Sequence, residues 1–122
     1  MLLRFVSRML LCALFLTGCS ATDTDPSPGG GMATVQESKL PAEARRTLEL
    51  IDRGGPFPYS RDGAVFGNFE RLLPAHRRGY YHEYTVPTPG SRDRGARRIV
   101  TGQDGEVYYT DDHYDSFRTV LR

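Results

Sequence analysis

Residues 79–86, GYYHEYTV, constrain the fold more than any other part of this 122-residue chain. Their side chains alternate, so that Tyr81, Glu83 and Thr85 share one side of an extended backbone while the intervening residues share the other. This pattern predicts a β-strand that carries a carboxylate on a pleated surface.

Two further runs, 97–100 and 107–110, predict strands that neighbour the first, and the Pro- and Gly-rich turn at 87–90 indicates a hairpin. If the strands pair antiparallel, Glu83 and Arg98 can meet across the sheet. The last of these strands leads into a loop that contains His113. A carboxylate, a guanidinium and an imidazole together are what metal-free acid–base chemistry on a phosphodiester needs.

A helix is predicted to begin near Leu40. Leu40, Ala44, Leu48 and Ile51 fall at helical spacing on one face, and the glycines at 54 and 55 end the pattern. The expected fold class is therefore α+β: one N-terminal helix packed on a small twisted antiparallel sheet, whose other face is open to substrate.

The first 18 residues have the pattern of a signal peptide, with Arg4 and Arg8 near an apolar run at 9–16. The sequence Leu-Thr-Gly-Cys that ends at Cys19 resembles the lipobox of bacterial lipoproteins, in which the Cys is lipidated and becomes the new N-terminus. An ordinary secretory signal that is cleaved nearby is the alternative. Either reading predicts an exported protein, which is anchored to a membrane through Cys19 or is extracellular.

Small and polar residues predominate from residue 20 to about residue 38, as expected of a flexible linker. We therefore predict three parts: a signal peptide at 1–18, a lipidated Cys19 with its linker at 19–38, and a folded domain at 39–122. Cys12 would leave with the signal and Cys19 would carry lipid, so the domain has no thiol for a disulfide.

Charge gives a local indication and no global one, because the formal net charge is only +1. Arg92, Arg94, Arg97 and Arg98 lie within seven residues, a cluster that favours phosphate binding, although a solvated basic turn explains such runs equally well. The three histidines, at 76, 82 and 113, lack metal-ligand spacing, so neither a metal nor a cofactor is expected.

The tetrapeptide at 67–70, GNFE, offers an amide, an aromatic ring and a carboxylate within three positions. Such a set can hold a flat polar base, since a ring stacks on the base while a carboxylate accepts from its N–H edge. An ordinary turn is the more frequent explanation of a pattern this short.

Many short motifs, in order and across nearly the whole predicted domain, resemble the microbial guanyl-specific ribonucleases, most nearly the ribonuclease Sa group and more distantly barnase. The matching motifs are GPFPYS at 55–60, DG at 62–63, GYYHEYTV at 79–86, TPG at 88–90, RRI at 97–99, YYT at 108–110 and DHY at 112–114. The resemblance implies the microbial ribonuclease fold and the cleavage of single-stranded RNA 3′ to guanosine.

The resemblance also implies roles for single residues. Glu83 would be the general base for the ribose 2′-hydroxyl, Arg98 would neutralise the transition state, and His113 would protonate the departing 5′-oxygen. The first product would be a 2′,3′-cyclic phosphate, which the same pair would then hydrolyse. No metal is implied, because the substrate's own hydroxyl attacks.

The family implies a substrate-binding set around this centre. Glu70 would accept from guanine N1–H and the exocyclic amine, backbone N–H groups around Asn68 would donate to O6, and Phe66 would lie against the ring. Arg94 and Tyr114 would lie at the phosphate, and Phe69 completes the set. Gly67 and Phe69 stand where ribonuclease Sa has Gln and Arg, so altered guanine recognition is expected.

Three further expectations follow from the resemblance: a monomer, a barstar-like intracellular inhibitor, and lower stability by about 2 to 4 kcal/mol because Gln36 stands at the first Cys of the relatives' disulfide. The alternative to an enzyme is a catalytically weak or inactive surface lipoprotein that keeps the fold to bind RNA or protein. An intact Glu83 and His113 favour the enzyme, because a protein that only binds does not need both.

Overall fold

The computed structural model describes residues 32–122. The predicted signal peptide, Cys19 and the first part of the predicted linker lie outside the described residues. Within residues 32–122, none of the helices has the length and apolar character that crossing a bilayer requires.

The described part consists of six strands, one α-helix and one turn of 3₁₀ helix. In chain order they are β1 (Ala33–Gln36), the 3₁₀ turn (Glu37–Lys39), α1 (Ala42–Arg53), β2 (Ala64–Phe66), β3 (Tyr81–Thr85), β4 (Arg98–Gly102), β5 (Val107–Thr110) and β6 (Arg118–Leu121). The predicted helix and the three predicted central strands are all present. Residues 33–38, which we assigned to the linker, lie instead in β1 and the 3₁₀ turn, so the folded part begins before residue 39.

The strands form one sheet in the order β1-β6-β5-β4-β3-β2. The four pairs from β2 to β6 are antiparallel, as expected, whereas β1 runs parallel to β6. A sheet of mixed direction is possible here because the chain reaches β1 from the opposite end of the domain, with no hairpin to fix its direction. The α+β class is thus as predicted, with one parallel pair at the edge.

Helix α1 packs its apolar face on the centre of this sheet, and α1 contacts β4. It begins directly after Pro41 and ends at Gly54, whose φ of +86° is the left-handed conformation that terminates many helices. The buried core between helix and sheet contains Leu40, Ala44, Leu48, Val86, Ile99, Val107, Tyr109 and Val120. Burial of this face stabilises the fold and leaves the other face of β3 and β4 for chemistry.

That other face is less open than the sequence led us to expect. A second cluster of buried side chains covers part of it: Leu73, Tyr80, Tyr81, Val100, Tyr108 and Phe117. Four of these are aromatic, and their rings meet mostly edge to face, an arrangement that fills space between sheet and loops. Only the stretch of this face around Glu83 and Arg98 adjoins a cleft.

Arg122 joins the C-terminal end of the chain to α1 and to the 3₁₀ turn. Its guanidinium donates to both carboxylate oxygens of Asp52, at 3.1 and 2.6 Å, and to Glu37 at 2.8 Å. The hydrogen bond from Arg122 holds the pKa of Asp52 below its ordinary value. This ion pair therefore ties together the same two ends of the domain that a disulfide joins in the relatives.

We expect Arg122→Ala to lower the free energy of unfolding at neutral pH by about 1 kcal/mol or less, because the pair is partly exposed. Since the pKa of Asp52 is lowered on folding, the stabilisation is present above the unfolded value and is lost as the pH falls through the folded value. Urea unfolding at pH 7 and at about pH 3 measures this, and the two proteins should converge in acid. A matched control is Arg118→Ala, which removes one exposed ion pair with Asp111. An equal loss at both pH values would contradict the role given to Asp52.

Candidate active site

Glu83 lies on β3 with only 7% of its surface exposed. One carboxylate oxygen, Oε1, accepts a short hydrogen bond from the hydroxyl of Tyr114. The other, Oε2, lies 3.7 Å from Nη2 of Arg61, whose side chain is largely exposed. Glu83 is thus held by one neutral donor and lies near one cation, and it is buried enough for both to act strongly.

Arg98 occupies the same face of the sheet on β4, and only 2% of its surface is exposed. Its Nε donates to the Tyr114 hydroxyl at 3.1 Å, and its Nη1 donates to the carbonyl of Arg97 at 2.7 Å. A longer bond of 3.4 Å joins Nη1 to the carbonyl of Arg94. These bonds fix a buried guanidinium in one orientation, as recognition of a phosphate requires.

Glu83 and Arg98 are brought together as predicted, but through a third residue. Arg98 pairs with Thr85 and Glu83 pairs with Val100, so the two charged residues are diagonal neighbours on one face. The hydroxyl of Tyr114 accepts from Arg98 and donates to Glu83. Burial and the contact with Glu83 raise the pKa of Tyr114 to about 12, so its hydroxyl keeps its proton at neutral pH.

A tightly bonded loop after β5 presents His113 and Tyr114. Both have positive φ, +58° and +74°, which is uncommon for residues other than Gly and needs support from neighbouring contacts. The backbone N–H of His113 donates to the carbonyl of Ala96 at 2.9 Å, and that of Tyr114 donates to Oγ1 of Thr110 at 3.1 Å. His113 itself is exposed.

Asp112 braces this loop from its other side. Its carboxylate accepts from the hydroxyl of Ser116 at 2.6 Å, from the backbone N–H of Ser116 at 2.9 Å and from Oγ1 of Thr110 at 2.8 Å. The bond from Ser116 is the main reason that the pKa of Asp112 lies below its ordinary value. Asp112 therefore fixes the backbone on which His113 and Tyr114 stand.

One cleft of about 380 Å³ adjoins this centre. Six of the nine site residues predicted from the sequence line it: Phe66, Asn68, Phe69, Glu70, His113 and Tyr114. Glu83 and Arg98 join them through Tyr114. Arg94, the ninth, contacts the centre through its backbone carbonyl, and its half-buried side chain lies in the loop before β4.

The loop after β2 forms one wall of the cleft. The Asn68 side chain spans it, donating to the carbonyl of Leu73 at 3.0 Å and accepting from the N–H of Leu73 at 3.1 Å. Its amide thus supports the loop and leaves backbone groups for a ligand. Phe66 stacks on Tyr114 with ring centroids 5.3 Å apart, while Glu70 is exposed and forms no salt bridge with another residue of 32–122.

Gly67 and Phe69 are coupled by contact. A Cβ placed on Gly67 would lie 2.5 Å from two carbons of the Phe69 ring, closer than such atoms approach. The ring can occupy this position only because residue 67 has no side chain. Two separate departures from the ribonuclease Sa sequence are therefore one structural change.

Sequence reasoning missed two residues and grouped others wrongly. Arg61 and Asp112 gave no separate signal, because an exposed Arg in a turn and an Asp beside a His are common and their partners are distant in sequence. Arg97, counted in the basic cluster, points away from the site toward Glu43 at 3.6 Å, since neighbouring residues of a strand face opposite sides. Within residues 32–122, no group of three or more His, Cys, Asp or Glu side chains could hold a metal ion.

Comparison with known proteins identifies the family. The sequence model of the ribonuclease family matches residues 22–121, nearly the whole length of the chain. The chain belongs to this family. Guanyl-specific ribonuclease Sa3 of Kitasatospora aureofaciens is 70% identical to it over 84 residues, which are 68% of this chain and 60% of that protein. The chain thus spans less than two thirds of the length of Sa3.

Two other relatives in the family are matched over most of their length. Guanyl-specific ribonuclease St of Saccharopolyspora erythraea is 56% identical over 91 residues, covering 75% of this chain and 90% of that protein. Guanyl-specific ribonuclease Sa of Kitasatospora aureofaciens is 59% identical over 88 residues, covering 71% and 92%. The family predicted from the sequence motifs is therefore confirmed.

The fold is confirmed by solved structures. The crystal structure of ribonuclease Sa2 with guanosine-2′-cyclophosphate matches with a TM-score of 0.72 and 53% identity, covering 75% of this chain and 97% of that one. A structure of ribonuclease Sa2 complexes with mononucleotides matches with a TM-score of 0.74 and 52% identity, covering 80% and 98%.

Proposed function

We propose that the protein is an endoribonuclease that cleaves single-stranded RNA on the 3′ side of guanosine, first by transesterification to a 2′,3′-cyclic phosphate and then by hydrolysis. The observation that carries this proposal is the placement of Glu83 and Arg98 on either side of the Tyr114 hydroxyl, with His113 lining the adjoining cleft. Relatives named as guanyl-specific ribonucleases, and a ribonuclease Sa2 structure with guanosine-2′-cyclophosphate, support it.

In the first step Glu83 takes the proton of the ribose 2′-hydroxyl, and O2′ forms a bond to phosphorus. Negative charge grows on the non-bridging oxygens, where the fixed guanidinium of Arg98 stabilises it. The bond from phosphorus to O5′ breaks, and His113 gives its proton to that oxygen. Water then takes the place of the leaving group and the two residues exchange roles in hydrolysis.

The pH dependence follows from these roles. The first step needs Glu83 without its proton and His113 with its proton, so the rate of transesterification should rise and then fall with pH. The hydroxyl of Tyr114 does not contribute to the alkaline fall near neutrality, because its pKa is raised to about 12.

The base would bind in the cleft beside the loop after β2. Glu70 has no salt-bridge partner among the described residues, so its carboxylate can accept from the N–H edge of guanine. Phe66 and Phe69 supply rings for the face of the base, and the braced loop at Asn68 supplies backbone donors.

The proposal is tested with short RNAs that differ in one base, followed by analysis of the ends produced. Cleavage after G with 2′,3′-cyclic ends is the expected result, and a substrate with 2′-deoxyguanosine at the cleavage position should stay intact because it lacks the nucleophile. Cleavage after other bases would keep the chemistry and remove the specificity. If the folded protein cleaves none of them, the proposal fails and the binding-protein alternative takes its place.

The position of the Phe69 ring is expected to set the strictness of guanine recognition. Gly67→Ala should displace the exposed ring and lower the preference for G over A by about tenfold, with little loss of stability because the ring and not the backbone moves. Competition kinetics on mixed substrates and a thermal melt measure the two effects. Because both changes act on one ring, Gly67→Ala should have no further effect in a Phe69→Ala background; additive losses would show that they act separately.

We propose that the protein is exported, carries lipid on Cys19 and acts as a monomer, with a barstar-like inhibitor in the producing cell. The Leu-Thr-Gly-Cys sequence supports the lipid, and the family resemblance supports the rest. Cys19→Ser should move the protein from the membrane fraction to the soluble fraction of cells that express it, because the acyl chains provide the anchor. An unchanged distribution would contradict lipidation at Cys19.

A further inference from the structure

A second groove, of about 390 Å³, shares a wall with the catalytic cleft. Phe69 and Asn68 line both spaces, whereas Arg71, Ala75 and His76 line the second one alone. We call this space the Phe69–His76 groove. No role in the chemistry proposed above falls to it.

Two aromatic rings border the Phe69–His76 groove, and contacts hold both in place. The ring of Phe69 is 83% exposed, which is unusual for a large apolar side chain, and the guanidinium of Arg78 lies 5.7 Å from its centroid. His76 stacks on Tyr80 at 3.7 Å and 6°, and the hydroxyl of Tyr80 donates to Glu106 at 2.6 Å. Exposed and fixed rings are what the unpaired bases of single-stranded RNA stack on.

The charge around the groove is positive. Arg71, Arg77 and Arg78 are all exposed, and none forms a salt bridge with another residue of 32–122. Arg71 holds a positive φ of +60°, and its N–H donates to the carbonyl of Asn68 at 3.0 Å, so its backbone position is fixed by the same turn that carries Phe69. A phosphate that follows the stacked base would find these guanidinium groups beside it.

The direction of the RNA follows from where His113 lies. In the proposed reaction the nucleotide on the 3′ side departs beside His113, which lines the catalytic cleft and does not line the Phe69–His76 groove. A chain that leaves the guanosine on its other side can pass over Phe69. The groove therefore suits the 5′ neighbour.

We propose that the Phe69–His76 groove binds the nucleotide on the 5′ side of the cleaved guanosine, with its base between the two rings and its phosphate at Arg71 and Arg78. This rests on the proposed function, since it assigns a place to a second nucleotide of the same substrate. It makes the protein a reader of RNA segments and not of single guanosine nucleotides.

The test compares three RNAs: a GpN dinucleotide, the same dinucleotide extended by one nucleotide at its 5′ end, and the same dinucleotide extended at its 3′ end. The 5′ extension should raise kcat/KM about tenfold, mainly through KM, because one stacked base and one phosphate contact are added. In the double variant Arg71→Asn, Arg78→Gln this gain should be lost while cleavage of GpN stays the same. Asn tolerates the positive φ at position 71, and a thermal melt checks that the variant is folded.

A matched control is Arg45→Gln, which removes one exposed Arg of α1 and should leave the gain intact. Fluorescence anisotropy with oligonucleotides that carry 2′-deoxyguanosine gives the same comparison without cleavage, and the salt dependence of binding should weaken in the double variant. The proposal is overturned if the wild-type protein gains nothing from the 5′ extension, if the double variant keeps the gain, or if only the 3′ extension produces it. Failure to cleave any of the three RNAs contradicts the proposed function instead, and the binding comparison then still decides the role of the groove.

Discussion

Replacing Glu83 by Gln is expected to lower kcat/KM for RNA cleavage by about 10²- to 10⁴-fold, the contribution typical of a positioned general base. Gln keeps the shape of the side chain and can still accept from the Tyr114 hydroxyl, so the fold should survive while the proton acceptor is lost. The loss should be the same at every base that the enzyme cleaves, because Glu83 acts on the ribose. Steady-state kinetics on short RNAs, with a melt to check folding, measure it.

Two other carboxylates provide matched comparisons for Glu83. Glu43→Gln removes a paired carboxylate of α1 and should leave activity unchanged. Glu70→Gln should lower cleavage after G far more than cleavage after other bases, since its expected contact is with the base. A Glu83→Gln protein that keeps more than a tenth of the activity would remove Glu83 from the role of base.

Replacing Arg98 by Lys is expected to lower kcat by about 10²- to 10³-fold, the loss typical when one preorganised stabilising group is removed from a transition state. Lys keeps the positive charge, but it cannot donate to Tyr114 and to the Arg97 carbonyl while it also faces a phosphate. Because Arg98 is 2% exposed, the variant should also be less stable, and its activity is best measured well below its melting temperature.

Arg97→Lys is the matched control, because residue 97 precedes Arg98 in the chain and its side chain faces α1. It should change kcat by less than about twofold, as expected for a partly exposed ion pair outside the site. Equal losses in the two variants would mean that charge near the strand matters and the orientation of one guanidinium does not.

Much of this architecture could be predicted from local sequence patterns. The alternation in residues 79–86 placed Glu83 on one face of β3, and the same period placed Arg97 and Arg98 on opposite faces of β4. The spacing of Leu40, Ala44 and Leu48 gave the buried face of α1. These predictions succeeded because the side chains of a helix or strand follow a fixed period that the sequence shows directly.

Other features depended on partners that are far apart in the chain. β1 is four residues long and its sequence resembles a linker; it is a strand because β6, more than eighty residues later, pairs with it. The bond between Tyr114 and Glu83 joins residues 31 positions apart, and the one between Tyr80 and Glu106 joins residues 26 positions apart. No local pattern announces such contacts.

The sequence by itself determined the helix, the central strands, the family and the residues available for acid–base chemistry, since all of these depend on short-range periodicity and on motifs that stand together in the chain. Only the tertiary structure decided that Tyr114 lies between Glu83 and Arg98, that Gly67 makes room for the ring of Phe69, and that Phe69 separates the catalytic cleft from a second groove. The physical reason is that these are contacts among packed side chains of separate elements, whose distances are fixed only when the whole sheet and its loops close around them.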